Sequence, residues 1–395
     1  YTTMEISANT TDAPVKPARY IELDSLRGLA ALIVVLHHLR LLWQGDAEPA
    51  SAILRSLLSL ANPVGNGAVI LFFVLSGFVL SLPAVAGRPQ PYLTFVIRRV
   101  FRIYLPYLAA LAVSVAGAFW LHGIVTRNSW FHLFWSEPVS WRLVLQHVMF
   151  VGVYNTDQFD NPIWSLVHEM RISLVFPLLC AFVLRFKSKW SFVIAFGLTG
   201  IAEVIQKPPF LIDWQIAESV HIAGLFVLGI FLARQRSSLG AWFLRWPRRF
   251  AAVPIALTVA CLFLYFFVGP QSTNSIERFF PHIMTCIRHW LIALSSGALM
   301  IISISSASWK RVLHWPPIHF LGEVSYSLYL WHFVVILYCV HLLYGRLPLW
   351  VILCLSLVLS IVVSWCSYRW IEKPSMNLGR NLSNLSQRSP VNVAV

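Results

Sequence analysis

The sequence predicts an all-α, polytopic integral membrane protein of about ten transmembrane helices with one additional short interfacial or re-entrant helix. Of its 395 residues, 58% are hydrophobic and 12% are charged, whereas roughly a quarter of the residues in a soluble domain are charged. Apolar runs recur from residue 26 to residue 371, and crossing a bilayer takes roughly 20 such residues. The lysines and arginines lie mostly between these runs. The net charge of +14 therefore indicates membrane lipids as partners and no nucleic acid.

The apolar runs predict ten spans along the chain. They lie near residues 26–43, 68–86, 101–121, 164–185, 190–206, 216–233, 251–268, 285–304, 324–344 and 349–371. The run from Leu143 to Tyr154 is too short to cross and follows an aromatic-rich segment, which favours an interfacial or re-entrant helix. We expect a polar N-terminal tail over residues 1–20, a membrane domain over residues 21–374, and a polar, disordered tail over residues 375–395.

The basic residues predict an orientation. If the ten spans alternate in direction, 20 lysines and arginines fall on one side and eight on the other, while Arg27 and Arg171 remain inside spans. Because positively charged loops stay in the cytoplasm, both termini are expected there. The six cysteines lie within or beside apolar runs and form no C-x-x-C motif. They indicate buried apolar side chains and no metal site.

The first span carries ionisable residues, which are costly in a membrane and therefore suggest function. Arg27 and His38 are eleven positions apart, which places them on one helix face roughly 16 Å apart. His37 points about 80° away from that face. Each residue also has a non-functional alternative. Arg27 could extend its side chain to the lipid headgroups, and His38 could form an interhelical hydrogen bond.

Glu169 is expected in the outer half of the fourth span, at a depth that His38 can reach. It shares a polar stripe with Ser165 and Ser173, because residues four apart lie on one helix face. A carboxylate there could orient the imidazole of His38 or raise its basicity. The alternative is a structural ion pair with Arg171 or with another helix.

Several other polar residues could bind a donor substrate. Arg99 and Arg102 are neighbours on a helix and, with Arg98, could clamp phosphates, although anchoring to anionic lipid explains them equally well. Ser76 lies mid-span beside a glycine, where helix packing is the alternative. Tyr326 and His332 in the ninth span could line a cavity or bond to neighbouring helices.

Taken in order, these segments resemble the acyltransferase-3 family of bacterial membrane proteins, from about Tyr20 to Pro374. The most specific element is an arginine followed by a histidine eleven positions later, here Arg27 and His38. Supporting motifs occupy residues 72–78 (Phe-Phe-x-x-Ser-Gly-Phe), 99–106 (Arg-x-x-Arg-Ile-x-x-Pro), 164–169 (Trp-Ser-Leu-x-x-Glu), 325–332 (Ser-Tyr-x-x-Tyr-Leu-x-His) and 369–374. The chain departs from many family members after Glu169, where Met170-Arg171-Ile172-Ser173 replaces aromatic residues.

The resemblance implies an O-acyltransferase of the cytoplasmic membrane of bacteria. It would move an acyl group, most simply acetyl, from cytoplasmic acyl-coenzyme A to a hydroxyl of an outward-facing glycan or glycolipid. His38 would be the general base and Glu169 its partner. Arg27, Arg98, Arg99, Arg102, Ser76, Tyr326 and His332 would bind the donor. The fused hydrolase-like domain of some family members is not expected in this chain.

Two other classes of protein also place charged residues inside spans. A proton-coupled transporter or lipid flippase would do so, but such proteins commonly contain inverted repeats, and the sequence has no evident repeat. A non-catalytic membrane scaffold is the second alternative. Acyl transfer by purified protein without a gradient would exclude both.

Overall fold

The protein is helical throughout the ranges that the structure describes. The structure is a computed structural model and describes residues 20–46, 62–123, 130–245 and 281–388. Within these ranges the regular elements are helices, with no β-strand. The predicted all-α class is therefore confirmed.

Twelve α-helices lie in the described ranges. They are α1 (Ile21–Asp46), α2 (Asn62–Val85), α3 (Tyr92–Leu121), α4 (Trp141–Met149), α5 (Ile163–Leu184), α6 (Trp190–Ile205), α7 (Trp214–Leu244), α8 (Pro281–Ser305), α9 (Ala307–Leu313), α10 (Pro316–Leu343), α11 (Leu349–Ser367) and α12 (Lys373–Arg388). A short 3-10 helix (Trp130–Leu133) precedes α4, and a π-helical turn (Tyr368–Glu372) joins α11 to α12.

Within the described residues, eight helical segments are long and apolar enough to cross a membrane. They are α1, α2, α3, α5, α7, α8, α10 and the continuous segment from α11 into α12. The predicted span at 190–206 corresponds to α6, whose 16 residues fall short of the roughly 20 that a crossing requires. The predicted span at 251–268 lies outside the described residues. Large apolar side chains such as Leu178 and Val193 are exposed, as expected for a surface that faces lipid.

The run from Leu143 to Tyr154 forms only a short helix. Helix α4 has nine residues and ends where Phe150 adopts a left-handed backbone with φ of 63°. A helix of this length is about 14 Å long and cannot cross a bilayer. Its Trp141, Leu145 and Met149 side chains are exposed, which suits a position at the membrane interface.

The C-terminal segment differs from the expectation of a disordered tail, because residues 373–388 form α12. Small residues recur every fourth position, at Ser375, Gly379 and Ser383, and all three are buried. Gly379 lies against Phe101 of α3, and α12 packs closely on α3. Small side chains let the two backbones approach, a pattern that the polar composition of the segment concealed.

Helices α1 and α10 run parallel and form the most extensive helix pair in the described residues. They meet at Gly28 and Gly322, where a Cβ atom on either residue would collide with the backbone of the other helix. His38 and His332 each lie ten residues beyond their glycine. The equal spacing on parallel helices brings the two histidines to the same level.

Two ends of the bundle can be distinguished. We call the end at which α1, α3 and α10 begin the basic end, because Arg98 and Arg102 of α3 lie there. Helices α2, α5 and α7 begin at the opposite end. Gly77 of α2 and Gly229 of α7 form a second close crossing, which fixes the wall that carries Ser76.

Candidate active site

A cavity of about 720 Å³ opens at the basic end and extends into the bundle. Its size falls within the range of small-molecule sites. The walls come from α2, α3, α5 and α10, with α1 contributing Asp24 and Arg27 and the segment after α11 contributing Glu372 and Arg380. The predicted residues that line it are Arg27, Ser76, Arg98, Arg99, Arg102, Glu169 and Tyr326.

Glu169 joins three helices through hydrogen bonds. Arg99 donates to Glu169 Oε1 over 2.6 Å, and Ser76 Oγ donates to the same oxygen over 3.0 Å. Arg99 also donates to Ser173 on α5. Because a carboxylate this deeply placed needs a partner, the pair fixes Arg99 in the cavity wall. The sequence analysis gave an ion pair with another helix as one alternative for Glu169, and the structure shows this ion pair.

The structure does not show the predicted contact of Glu169 with His38, because the hydrogen bonds of this carboxylate go to Arg99 and Ser76. An ion pair with Arg171 is not formed either. Arg171 donates to the backbone oxygens of Val151 and Gln215 and to Ser219 Oγ, so it ties α5 to α7 and to the segment after α4. The sequence predicts how deep a residue lies in the membrane, but this depth does not show which helix its side chain faces.

The remaining arginines have different partners. Arg98 donates to Ser383 Oγ over 2.9 Å and to Asn384 Oδ1 over 3.1 Å, so α12 holds its guanidinium with neutral groups. Arg27 lies 3.6 Å from Asp24, one turn earlier on α1. Five arginines and four carboxylates line the cavity. Since Arg99 and Arg27 are already paired, the positive charge available to an anion belongs to Arg98, Arg102 and Arg380, and Glu372 offsets part of the charge of Arg102.

Helix α10 contributes a wall that the sequence predicted in part. Tyr326 donates to the backbone oxygen of Ile103 over 2.7 Å, which joins α10 to α3. Ser327 Oγ donates to Glu372 over 2.7 Å. Glu372 was not predicted as a site residue, yet the π-helical turn directs it inward. Turns of this type are frequent at functional sites.

His38 and His332 form a buried pair beyond the inner end of the cavity. His38 Nδ1 lies 3.1 Å from His332 Nε2 and 2.9 Å from the backbone oxygen of Val34. His332 Nδ1 lies 3.0 Å from the backbone oxygen of Leu328. Because a carbonyl only accepts, both Nδ1 atoms carry the proton, and His332 Nε2 accepts from His38. This arrangement assigns His38 Nε2 as the unprotonated, basic nitrogen of the pair.

His332 was predicted to bind the donor, but it does not line the cavity and is fully buried. It instead contacts His38, the contact that the sequence had suggested for Glu169. The side chain of Asn161, just before α5, also lies near the His38 ring. This side chain approaches from the end of the bundle opposite the cavity entrance.

Asp160 is a buried acid that the sequence reasoning missed. Its side chain is 1% exposed, and neither carboxyl oxygen has a hydrogen-bond partner among the described residues. Asp160 lies in the connection between α4 and α5, outside the spans. Burial raises the pKa of this carboxyl well above its usual range, so the buried carboxyl keeps its proton to higher pH than an exposed aspartate does.

Among the described residues, no group of three or more His, Cys, Asp or Glu side chains is arranged to hold a metal ion. Two of the cysteines there, Cys180 and Cys339, are buried, whereas Cys354 is exposed among apolar side chains. The site chemistry in these ranges is that of arginines, carboxylates, hydroxyls and imidazoles.

Known proteins similar to this chain are O-acetyltransferases. It is 22% identical over 408 residues to O-acetyltransferase OatA of Staphylococcus aureus strain NCTC 8325, covering 91% of this chain and 58% of that protein. It is 23% identical over 391 residues to the putative peptidoglycan O-acetyltransferase YrhL of Bacillus subtilis, covering 91% of this chain and 56% of that protein. The chain thus spans little more than half the length of these relatives. No solved structure matches it significantly.

A family model also matches the membrane bundle. The family model describes an acyltransferase domain and matches residues 20–369, which include α1 with His38, the cavity walls formed by α2, α3 and α5, and α10 with His332. The match covers far more than half of the chain. This protein therefore belongs to the acyltransferase-3 family.

Proposed function

We propose that this protein moves an acetyl group from acetyl-coenzyme A to a hydroxyl of a glycan or glycolipid on the other side of the bacterial cytoplasmic membrane. One observation carries the proposal: a cavity with arginines at its basic end leads toward a buried histidine pair within the bundle. The names of the relatives, O-acetyltransferase and peptidoglycan O-acetyltransferase, supply the acyl group and the acceptor class.

The donor enters from the basic end, which we place in the cytoplasm with both chain termini. Arg98 and Arg102 contact its phosphates near the entrance. Arg27, Ser76 and Tyr326 line the path of the thioester arm toward the centre of the bundle. Glu169 acts as a positioning residue, because it fixes Arg99 against the cavity wall.

His38 is the general base in this mechanism. Its Nε2 takes the proton from the acceptor hydroxyl while the hydroxyl oxygen attacks the thioester carbonyl carbon. The tetrahedral intermediate then collapses, the carbon–sulfur bond breaks, and the imidazolium returns its proton to the leaving thiolate. His332 Nε2 accepts a hydrogen bond from His38 Nδ1–H. This bond keeps His38 in the tautomer whose Nε2 is free of a proton and can act as the base.

Acyl transfer by the purified protein tests this function. The full chain in detergent, with no ion gradient, receives acetyl-coenzyme A and a soluble N-acetylglucosamine tetramer as the acceptor probe. We expect free thiol to appear together with O-acetylated tetramer, detected by mass spectrometry. Thiol release without an acetylated acceptor would indicate hydrolysis, and neither product would favour a transporter or a scaffold.

Two neighbouring arginines test the donor site, because Arg99 makes a direct ion pair with Glu169, whereas Arg102 interacts with Glu372 at longer range and forms no direct ion pair among the described residues. Arg102→Ala should weaken acetyl-coenzyme A binding by about tenfold or more, since a hydrogen bond to a charged group contributes about 1.5–3 kcal/mol. Arg99→Ala should instead lower the free energy of unfolding by about 3–5 kcal/mol, because it leaves Glu169 buried without its ion pair. Calorimetric donor titration and thermal unfolding separate the two effects. Unchanged donor affinity in folded Arg102→Ala would assign that arginine to lipid anchoring.

A further inference from the structure

A layer of three side chains closes the cavity before it reaches the histidine pair. On α10 the lining ends at Tyr329, one turn before His332, and on α1 it ends at Arg27, far below His38. On α2 the lining continues to Val69, and the three lining side chains that meet at the level of Tyr329 are Phe72 of α2, Ser165 of α5 and Tyr329 itself. We call this set the closing layer. His38 and His332 lie beyond it and are both buried.

Tyr329 holds the closing layer together. Its hydroxyl lies 2.6 Å from Ser165 Oγ and donates to the backbone oxygen of Pro162 over 3.2 Å. Its ring stands edge-on to Phe72, with the ring centroids 5.4 Å apart. On the other side, the same ring lies 6.1 Å from the His332 ring. One side chain therefore contacts both the cavity wall and the histidine pair.

A thioester in the cavity can reach His38 only if the closing layer opens. Moving the helices would disrupt the tight α1–α10 and α2–α7 crossings. Rotating Tyr329 breaks only its bonds to Ser165 and Pro162, and one such hydrogen bond contributes about 0.5–1.5 kcal/mol. Opening through this single side chain is thus the least costly route.

Aromatic rings also restrict the space beyond the layer. Phe333 packs against His38 with ring centroids 5.1 Å apart, and Phe131 and Phe134 pack against Phe333. All three phenylalanines are almost fully buried. An acyl group that passes Tyr329 therefore enters a confined apolar space, which suits two carbons better than four or more.

From this arrangement we infer that Tyr329, with Ser165 and Phe72, forms a gate that admits the donor thioester to His38 and determines the length of the acyl group transferred. The inference rests on the proposed function, since it assumes a thioester donor in the cavity. Tyr329 is a specificity-determining residue in this view, whereas Arg98 and Arg102 recognise the part of the donor that all acyl-coenzyme A molecules share.

The test compares acetyl- and butyryl-coenzyme A as donors, with the N-acetylglucosamine tetramer as acceptor and the full chain in detergent. Tyr329→Ala should raise the ratio of butyryl to acetyl kcat/KM by about tenfold or more, the discrimination that one or two methylene groups typically allow. Phe72→Ala should shift the ratio in the same direction. Tyr329→Phe keeps the ring and should leave the ratio close to that of the unaltered protein.

Tyr338→Phe is the matched control, because Tyr338 lies on the same helix and bonds only to the backbone oxygen of Val113. If the unaltered protein transfers neither acyl group, the proposed function fails. If it transfers acetyl but Tyr329→Ala and Phe72→Ala leave the ratio unchanged, the gate is rejected while the function stands. If Tyr329→Ala does not fold, as judged by size exclusion, Tyr329→Leu and Phe72→Ala decide the question by the same ratio.

Discussion

Two adjacent histidines of α1 have different surroundings. His38 contacts His332, whereas the His37 ring packs against Gly65 of α2. The sequence had already placed the two histidines on different faces of α1. His38 is eleven positions from Arg27, and eleven helical positions return to the same face, whereas His37 points away from it. The partner of His38 could not be predicted, since it comes from a helix 294 residues further along the chain.

His38→Ala should reduce acyl transfer by about 100-fold or more, the usual contribution of a positioned general base. His37→Ala should retain most of the activity, because its ring faces a different helix. Single-turnover release of free thiol measures both variants, and thermal unfolding establishes that they are folded. Near-normal transfer by folded His38→Ala would reject its assignment as the base.

Asp160 predicts a dependence of stability on pH. Its pKa is raised in the folded protein by burial, so the native state keeps this proton at pH values where the unfolded chain has lost it. The contribution to the free energy of unfolding is complete below the unfolded pKa of about 4 and is lost as the pH rises through the folded pKa. Asp160→Asn should therefore gain stability relative to the unaltered protein as the pH increases.

Chemical unfolding in detergent between pH 4 and pH 8 measures this difference. Glu137→Gln, which changes an exposed carboxyl in the preceding loop, is the control and should follow the unaltered protein. Parallel stability curves for Asp160→Asn and the unaltered protein would show that the buried carboxyl is ionised in both states.

At the scale of helices, the close crossing of α1 and α10 positions the pair of His38 and His332. Gly28→Ala would place a methyl group against the backbone at Gly322, and overpacking of this kind costs about 1–3 kcal/mol. We expect a lower unfolding temperature and a loss of activity, because separating the helices also separates His38 from His332. Both quantities are measurable in the same detergent preparation.

Gly197→Ala on α6 is the control for this prediction. A Cβ atom there has no neighbour within 4 Å, and alanine favours a helix over glycine by up to about 1 kcal/mol. Equal behaviour of Gly28→Ala and Gly197→Ala would show that the α1–α10 crossing does not limit the position of the histidines.

The helices also show what sequence patterns can and cannot determine. Hydropathy is a local property, so the spans could be identified from runs of apolar residues. Pairing between helices depends on side chains distant in sequence. Glu169 illustrates this, because its depth was compatible with His38 while its direction leads to Arg99. Helix packing and donor binding were the two interpretations of the segment 72–78. The structure is compatible with both, because Gly77 packs against α7 while Ser76 lines the cavity.

At the scale of the whole molecule, the distribution of basic residues predicts the topology. Ser238 and Asp157 are both exposed and lie at opposite ends of the bundle. Ser238→Cys should be protected from a membrane-impermeant maleimide in intact cells, whereas Asp157→Cys should react. The unaltered protein measures the background from its own cysteines. Strong external labelling at position 238 would invert the orientation and place the cavity entrance outside.

The family could be recognised from sequence because its motifs are short and lie in a fixed order along the spans. The closing layer could not, because it brings together Phe72, Ser165 and Tyr329 from three helices. Helix α12 was also missed, since its composition resembles that of a disordered tail while its small residues pack on α3. In each case the missing information was a contact between distant parts of the chain.

The equal distance from glycine to histidine on α1 and α10 has a consequence for changes in chain length. Inserting one residue between Gly28 and His38 would turn the His38 ring by about 100° and displace it by about 1.5 Å along the axis. A matching insertion in α10 would restore the level but not the facing directions, because each helix turns about its own axis. Natural variants of this protein should therefore accumulate substitutions in these two intervals but keep their lengths constant, while insertions and deletions are confined to the connecting loops.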